Sequence, residues 1–282
     1  MFENKLNRFI SECKYDILDS SNPKIQGYVK ELKEIIPDQY EDGLFTGIAS
    51  DVISQLLSFP TEDNEDEEVV IDCLDRSLEE LKNMVKSMVI EVTLEGQEDN
   101  VNRVLEVPYS LTLADLSYLV LASLRAEGSH LFNVEYQGNI YSGEQPSLDY
   151  MDKLYAMITE TSDIDLTVGS NLVIRYDFGD DYTINVKVLR INDNKELYSL
   201  GNSHHIEGNG FGIWEDNHQL LDMYYDDPDN FKEFVETNGI ELPKDLDDDF
   251  DKTLYDGLLP VLFFSLKKTY EEENEEEYSL NS

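Results

Sequence analysis

Apolar side chains recur at three- and four-residue steps through the first part of the chain. Phe2, Leu6, Phe9, Ile10, Cys13 and Ile17 form one such stripe, and Ile25, Tyr28, Val29, Leu32 and Ile36 form a second behind Pro23. Ile48, Val52, Ile53, Leu56 and Leu57 make a third, ended by Pro60 and the acidic run TEDNEDEE at 61–68. Val70, Ile71, Leu74, Leu78, Leu81, Val85 and Met88 make a fourth. This spacing gathers each set on one face of a helix, and four such faces can bury one another. A helical bundle over 1–88 is therefore predicted.

Near residue 89 the period changes. VIEVTLEG (89–96) and RVLEV (103–107) read as paired strands around the loop Gln97–Asn102, and LTLADLSYLVLASL (111–124) returns to helical spacing. HLFNVEYQGNIY (130–141) then reads as a hairpin around Gln137-Gly138-Asn139. Strand, strand, helix, strand, strand is the order of a β-grasp-like mixed sheet crossed by one helix, so the class is α+β. A further helix is expected near 150–158.

The stretch IRYDFGDDYTINVKVLRI (174–191) alternates on either side of a glycine-acid turn. Counting outward from Asp180 pairs Phe178 with Tyr182, Tyr176 with Ile184, Ile174 with Val186 and Leu172 with Val188. Every pair on that face is apolar, and the alternate positions, Asp177 among them, are mostly polar. An antiparallel hairpin over 172–191 follows, with Gly179-Asp180-Asp181 as its loop. A glycine-rich loop at 206–216, helices through Leu220, Leu221 and Tyr224 and from Asp229, and a buried apolar segment at 258–266 come next. The expected organisation is a helical bundle over 1–88, an α+β domain over 89–270 and a solvated acidic tail over 271–282.

Charge narrows the function more than the pattern does. The chain carries 61 acidic and 21 basic side chains, a formal charge of −40, which repels nucleic-acid phosphates and anionic membranes from most of a surface. A basic protein partner is expected instead, without direct nucleic-acid or membrane binding. The N-terminus lacks the pattern of a secretory signal, and LLPVLFFSL (258–266) is far shorter than the roughly 20 residues that span a bilayer. A cytoplasmic location is expected, with Cys13 and Cys73 as reduced, buried thiols.

Two motifs of metal-dependent catalysis overlap at 177–181. Asp177-Phe178-Gly179 matches the magnesium triplet of kinases and Gly179-Asp180-Asp181 the metal turn of polymerases, but the glycine loop, strand lysine, catalytic loop and basic channel that such enzymes need are missing. DLDDDFDKTLYD (245–256) alternates acids as a calcium loop does, yet has Phe250 where the loop needs Gly and Asp256 where it needs Glu. His204, His205 and His218 show no ligand spacing and read as surface or loop residues. No metal site and no cofactor are expected.

VPYSLTLADLSYLVLASL (107–124), GSHLFNVEYQGNIY (128–141), LVIRYDFGDDY (172–182) and GFGIWED (210–216) together resemble the Ri-plasmid Orf-three-like family, also labelled an insertion-element passenger family, over about 88–258. His130, Tyr176, Asp177, Phe178, Gly179, Asp180, Gly210, Gly212, Trp214 and Glu215 carry the match. Thr183 and Ile184 stand where the family pattern has an acid and a histidine, and Asn209 where it has a cysteine. The resemblance implies a protein associated with mobile elements, and the missing reactive groups favour a non-enzymatic interaction protein. Asp177, Asp180, Asp181, Trp214, Glu215 and Asp216 are its candidate binding residues, with Trp214 and the acidic hairpin edge presented to the basic partner. A DNA mimic that blocks a nucleic-acid-binding defence enzyme and a metal-dependent hydrolase with carboxylates at the hairpin tip are the alternatives.

Overall fold

The structure, a computed structural model, describes residues 86–144, 153–193, 203–244, 246 and 250–279. The expected bundle lies outside these residues except at its end, where a correction is needed: Lys86–Met88 belong to a strand, not to a fourth helix. The described elements are β1 (Lys86–Leu94), β2 (Asn102–Pro108), α1 (Leu113–Ser123), β3 (Phe132–Tyr136), β4 (Asn139–Ser142), β5 (Leu154–Tyr155), β6 (Asn171–Tyr176), β7 (Tyr182–Asp193), β8 (His204–Asn209), α2 (His218–Asp226), α3 (Pro228–Asn238) and α4 (Lys252–Ser279). The eight strands form one sheet in the order β5-β4-β3-β6-β7-β1-β2-β8.

That order replaces the β-grasp-like sheet. The first four strands do occur with the expected helix between them, but β6 and β7 are inserted between β3 and β1. Strand periodicity locates hairpins; it does not say which hairpin edges meet, and here β6 takes the free edge of β3 with Phe132 opposite Tyr176. The sheet is mixed because β5 pairs parallel to β4. Leu154–Tyr155 is thus a short strand where a helix was expected. β3 and β4 are joined by a two-residue turn in which Gln137 and Gly138 both have positive φ, 49° and 82°, the geometry that matches strand twist.

The β6–β7 hairpin keeps the predicted faces but shifts the predicted register by two residues. Tyr176 faces Tyr182, Ile174 faces Ile184 and Leu172 faces Val186, all six buried. The loop is therefore Asp177–Asp181, and Phe178 leaves the core to stand 53% exposed. A slip of two preserves which side chains face inward, so alternation alone cannot exclude it. What selects the longer loop is Asp177: its Oδ1 accepts from the N–H groups of Gly179 at 3.1 Å and Asp180 at 3.3 Å, and its carbonyl accepts from Asp181 N–H at 2.6 Å.

α1 is buried all round, because the sheet covers one side and α4 the other. Thr112 caps its start by accepting from Asp115 N–H at 2.9 Å. Tyr118 stacks on Tyr270 of α4 at 5.2 Å and meets Phe132 of β3 edge-on at 5.8 Å, and Lys267 reaches the buried Asp115 carboxylate at 2.7 Å. Segment 258–266 is buried on one face only: Leu259, Phe263 and Leu266 are inside, whereas Val261 and Phe264 are exposed. The α4 backbone is helical through Ser279, so residues 271–279 extend that helix. No helix among the described residues is long and apolar enough to cross a membrane.

Arg103 fixes the far end of the sheet to the loop after β8. Its fully buried guanidinium donates to the carbonyls of Ser123, Asn102, Asn209, Gly210 and Phe211. Burial lowers its pKa to about 10, and the rings of Phe250 and Tyr255 lie 4.9 and 5.0 Å from it. Two of those five bonds hold Gly210 and Phe211, where the loop carrying Trp214 to Asp216 begins.

Candidate metal centre

Three segments deliver polar side chains to one point. His130 precedes β3, Asp177 follows β6, and Glu215 lies between β8 and α2. Pairing of β3 with β6 sets His130 beside Asp177, and Asp177 N–H donates to Leu131 O at 3.1 Å. Two close approaches bring in Glu215. A Cβ on Gly210 would sit 2.0 Å from Asn100 O and one on Gly212 would sit 2.2 Å from Leu124 O, and both have positive φ, so only glycine lets this loop lie so close. Ile213 N–H then donates to Leu124 O at 2.8 Å, and Glu215 arrives next to the chain at Glu127.

Each carboxylate has one oxygen engaged and one bare. Asp177 Oδ1 closes the hairpin loop, as described above, and Glu215 Oε1 accepts from Tyr176 Oη at 2.6 Å and Glu127 N–H at 2.7 Å. Asp177 Oδ2, Glu215 Oε2 and His130 Nε2 are buried and have no hydrogen-bond partner. These three atoms lie within 4.8 Å of one another. Measured from His130 Nε2, Asp177 Oδ2 is at 3.3 Å, Glu215 Oε2 at 3.5 Å and Asp216 Oδ1 at 3.1 Å.

Those separations suit a shared cation better than a shared proton. Ligand atoms about 2.1 Å from one ion stand roughly 3.0–3.4 Å apart in tetrahedral or octahedral arrangements. One N–H can satisfy only one acceptor, and here no oxygen lies along its direction well enough to make a hydrogen bond. Two buried carboxylates with a third at the rim also repel one another, a cost that a divalent ion removes. The Tyr176 phenol is held protonated, since burial and then its bond to Glu215 push its pKa up, so it donates to the carboxylate as an outer-shell partner does.

Two of the six non-glycine residues with positive φ among the described residues lie at the same place. Asp177 and Asp216 adopt φ of 54° and 57°, a left-handed region uncommon for residues other than glycine, and strain of this kind persists where the surroundings over-determine it. Asp177 is 4% exposed, whereas the Asp216 side chain is 75% exposed and forms the rim.

The six candidate residues thus divide. Asp177, Glu215 and Asp216 converge on His130. Asp180 Oδ2 instead accepts from His218 N–H at 3.0 Å, and Asp181 faces Arg175 at 3.3 Å. Trp214 is only 8% exposed, packs edge-on against Phe231, and accepts from Tyr182 Oη through its carbonyl at 2.7 Å. Two of the other histidines, His205 and His218, differ from their expected surface or loop positions, whereas the His204 side chain is 41% exposed. His205 lies on β8 and is fully buried, with Nδ1 on Asp256 at 2.9 Å, and His218 stacks on Tyr182 at 4.2 Å.

A model of plasmid pRiA4b ORF-3-like proteins matches residues 86–253, the span that holds the whole sheet and all four converging side chains. The chain belongs to the plasmid pRiA4b ORF-3-like family. No curated protein matches this ORF-3-like chain. Among solved structures it is similar to a protein of unknown function, MM3350 from Methanosarcina mazei Go1, with 18% identity, a TM-score of 0.47, and coverage of 60% of this chain and 96% of that one.

Proposed function

We propose that this ORF-3-like protein works through a divalent cation bound by His130, Asp177 and Glu215, with Asp216 as a rim ligand. The observation that carries this reading is the convergence of three buried, unpartnered ligand atoms whose carboxylates are each oriented by donors on the other oxygen. One imidazole with carboxylates suits manganese, iron or zinc better than magnesium or calcium, which favour all-oxygen shells. Three protein ligands and one exposed rim carboxylate leave coordination positions for water or substrate, the pattern of catalytic rather than structural sites. Of the functions considered, a metal-dependent hydrolase gains most from this geometry. A cation there would supply Lewis acidity, while the chain's own residues orient the ligands and bury the site.

Isothermal titration of the full chain with Mn²⁺ and Zn²⁺ tests the reading. One equivalent should bind with Kd below about 10 μM. Asp177→Asn keeps an oxygen for the loop hydrogen bonds and tolerates positive φ, so it should fold and lose most of that affinity. Absence of stoichiometric binding to the wild type would overturn the proposal.

A further inference from the structure

Glu215 and Asp216 of the centre also line a cleft of about 520 Å³, within the usual range of ligand pockets, together with Arg125 and Lys244. Its apolar wall includes Phe211, Ile213, Leu242 and Pro243. The cleft follows from the packing already described. Segment 124–127 runs beside the 211–215 loop through the bonds from Ile213 N–H to Leu124 O and from Glu127 N–H to Glu215 Oε1. Arg125 is set at φ 63° on that segment, with its guanidinium 5.3 Å from the Phe211 ring.

We infer that this cleft binds a small ligand through an oxoanion group, a carboxylate or a phosphoryl group, held between the cation and the side chains of Arg125 and Lys244. This assignment rests on the metal reading and adds the ligand class to it. Arg125 and Lys244 place two cationic side chains in the cleft of a chain of net charge −40, and a cation beside them would add to their pull on an anion. A guanidinium stacked on an aromatic face loses little further freedom when it meets a planar or tetrahedral oxoanion. Asp216, exposed and bound to the centre from the cleft side, is the ligand such a group would displace or join. Glu127 and Glu241 also line the cleft and oppose an anion, so the bound cation is required for net attraction.

The test uses the full chain loaded with Mn²⁺, titrated with methylphosphonate and with acetate as the two probes. At least one should bind with Kd below 1 mM, on the order of a weak single-group contact, and binding should vanish when the metal is removed. Arg125→Gln should weaken that probe about tenfold with Mn²⁺ affinity unchanged, and Lys244→Gln, at an exposed position, about threefold. If Mn²⁺ binds but neither probe does, the cleft assignment is overturned and the metal site stands. Probe binding that survives removal of the metal, or both variants without effect, also overturns it. If Mn²⁺ itself does not bind, the metal reading fails first.

Discussion

Tyr176 Oη donates to Glu215 Oε1 at 2.6 Å, and the same hydroxyl accepts from Gly128 N–H at 3.2 Å. A core tyrosine of the sheet therefore aims a carboxylate from a distant loop. Tyr176→Phe removes one of the two donors on Oε1 without opening a cavity, so the fold should persist while the carboxylate loses its fixed direction. Metal affinity should fall about 10- to 100-fold, the usual cost of losing an outer-shell partner. Titration of the variant with Mn²⁺ checks this, and an unchanged Kd would mean that Glu127 N–H alone positions Glu215.

Phe178→Ala should cost less than about 1 kcal/mol, because the ring is half exposed at the loop tip. Tyr182→Ala, at the buried position facing Tyr176, should cost about 3–5 kcal/mol. Urea midpoints of the two variants separate the observed register from one shifted by two residues, in which Phe178 would be the buried member.

That pair marks how far the sequence was legible. Alternation with period two reveals which side chains of 172–188 share a face, and those residues, Phe178 excepted, do line the core. It is blind to a slip of two, and the selecting interaction is a side-chain-to-backbone turn at Asp177 whose left-handed φ has no signature in composition. The site was half visible. Asp177, Glu215 and Asp216 stand out as acids in glycine-rich turns, but His130 sits before a strand and meets them only through pairing of β3 with β6. The available signal was the family resemblance, whose matched residues include one imidazole, that of His130, with Asp177 and Glu215. Trp214, expected to face a partner, is instead buried, beside a loop that Gly210 and Gly212 bring into close backbone approach.

Acid should destabilise the fold through His205. Burial lowers its pKa to about 4, although Asp256 opposes the shift by accepting from both Nδ1 and the backbone N–H of that residue. The unfolded chain takes up this proton near the ordinary value of about 6.5, so between the two values the unfolded state binds more protons. Stability is thus whole above pH 6.5, falls as pH drops toward 4, and levels for this group below that. The total is about 3 kcal/mol, at 1.36 kcal/mol for each unit of pKa. His205→Gln should flatten the dependence of the urea midpoint on pH between 4 and 6.5; a slope equal to the wild type's would place the acid sensitivity elsewhere.

Arg103→Lys should be severe although it keeps the charge. An ammonium has three donors and no planar fork, so at least two of the five carbonyls now held by the guanidinium would be left buried without a partner. Each such loss costs about 1–3 kcal/mol. Because Gly210 and Phe211 are among those carbonyls, metal affinity should fall along with the melting temperature, through the loop that carries Glu215. A variant that melts early but binds Mn²⁺ as the wild type does would uncouple the sheet edge from the site.

The balance between a cation and a proton at His130 can be read from stability alone. If the centre binds metal, the folded state without it carries uncompensated repulsion between Asp177 and Glu215, and a cation at 100 times its Kd should add about 2.7 kcal/mol. For a folded region of this size that is a rise of about 5–10 °C in Tm. Glu215→Gln keeps the volume and removes the charge, so it should raise Tm in the absence of metal and abolish the response to Mn²⁺. The opposite result is equally definite. If the cluster is a charged imidazolium ringed by carboxylates, Glu215→Gln removes an attractive partner and lowers Tm, while added Mn²⁺ leaves the wild type unmoved. Melting curves of the two proteins with and without Mn²⁺ decide between these outcomes.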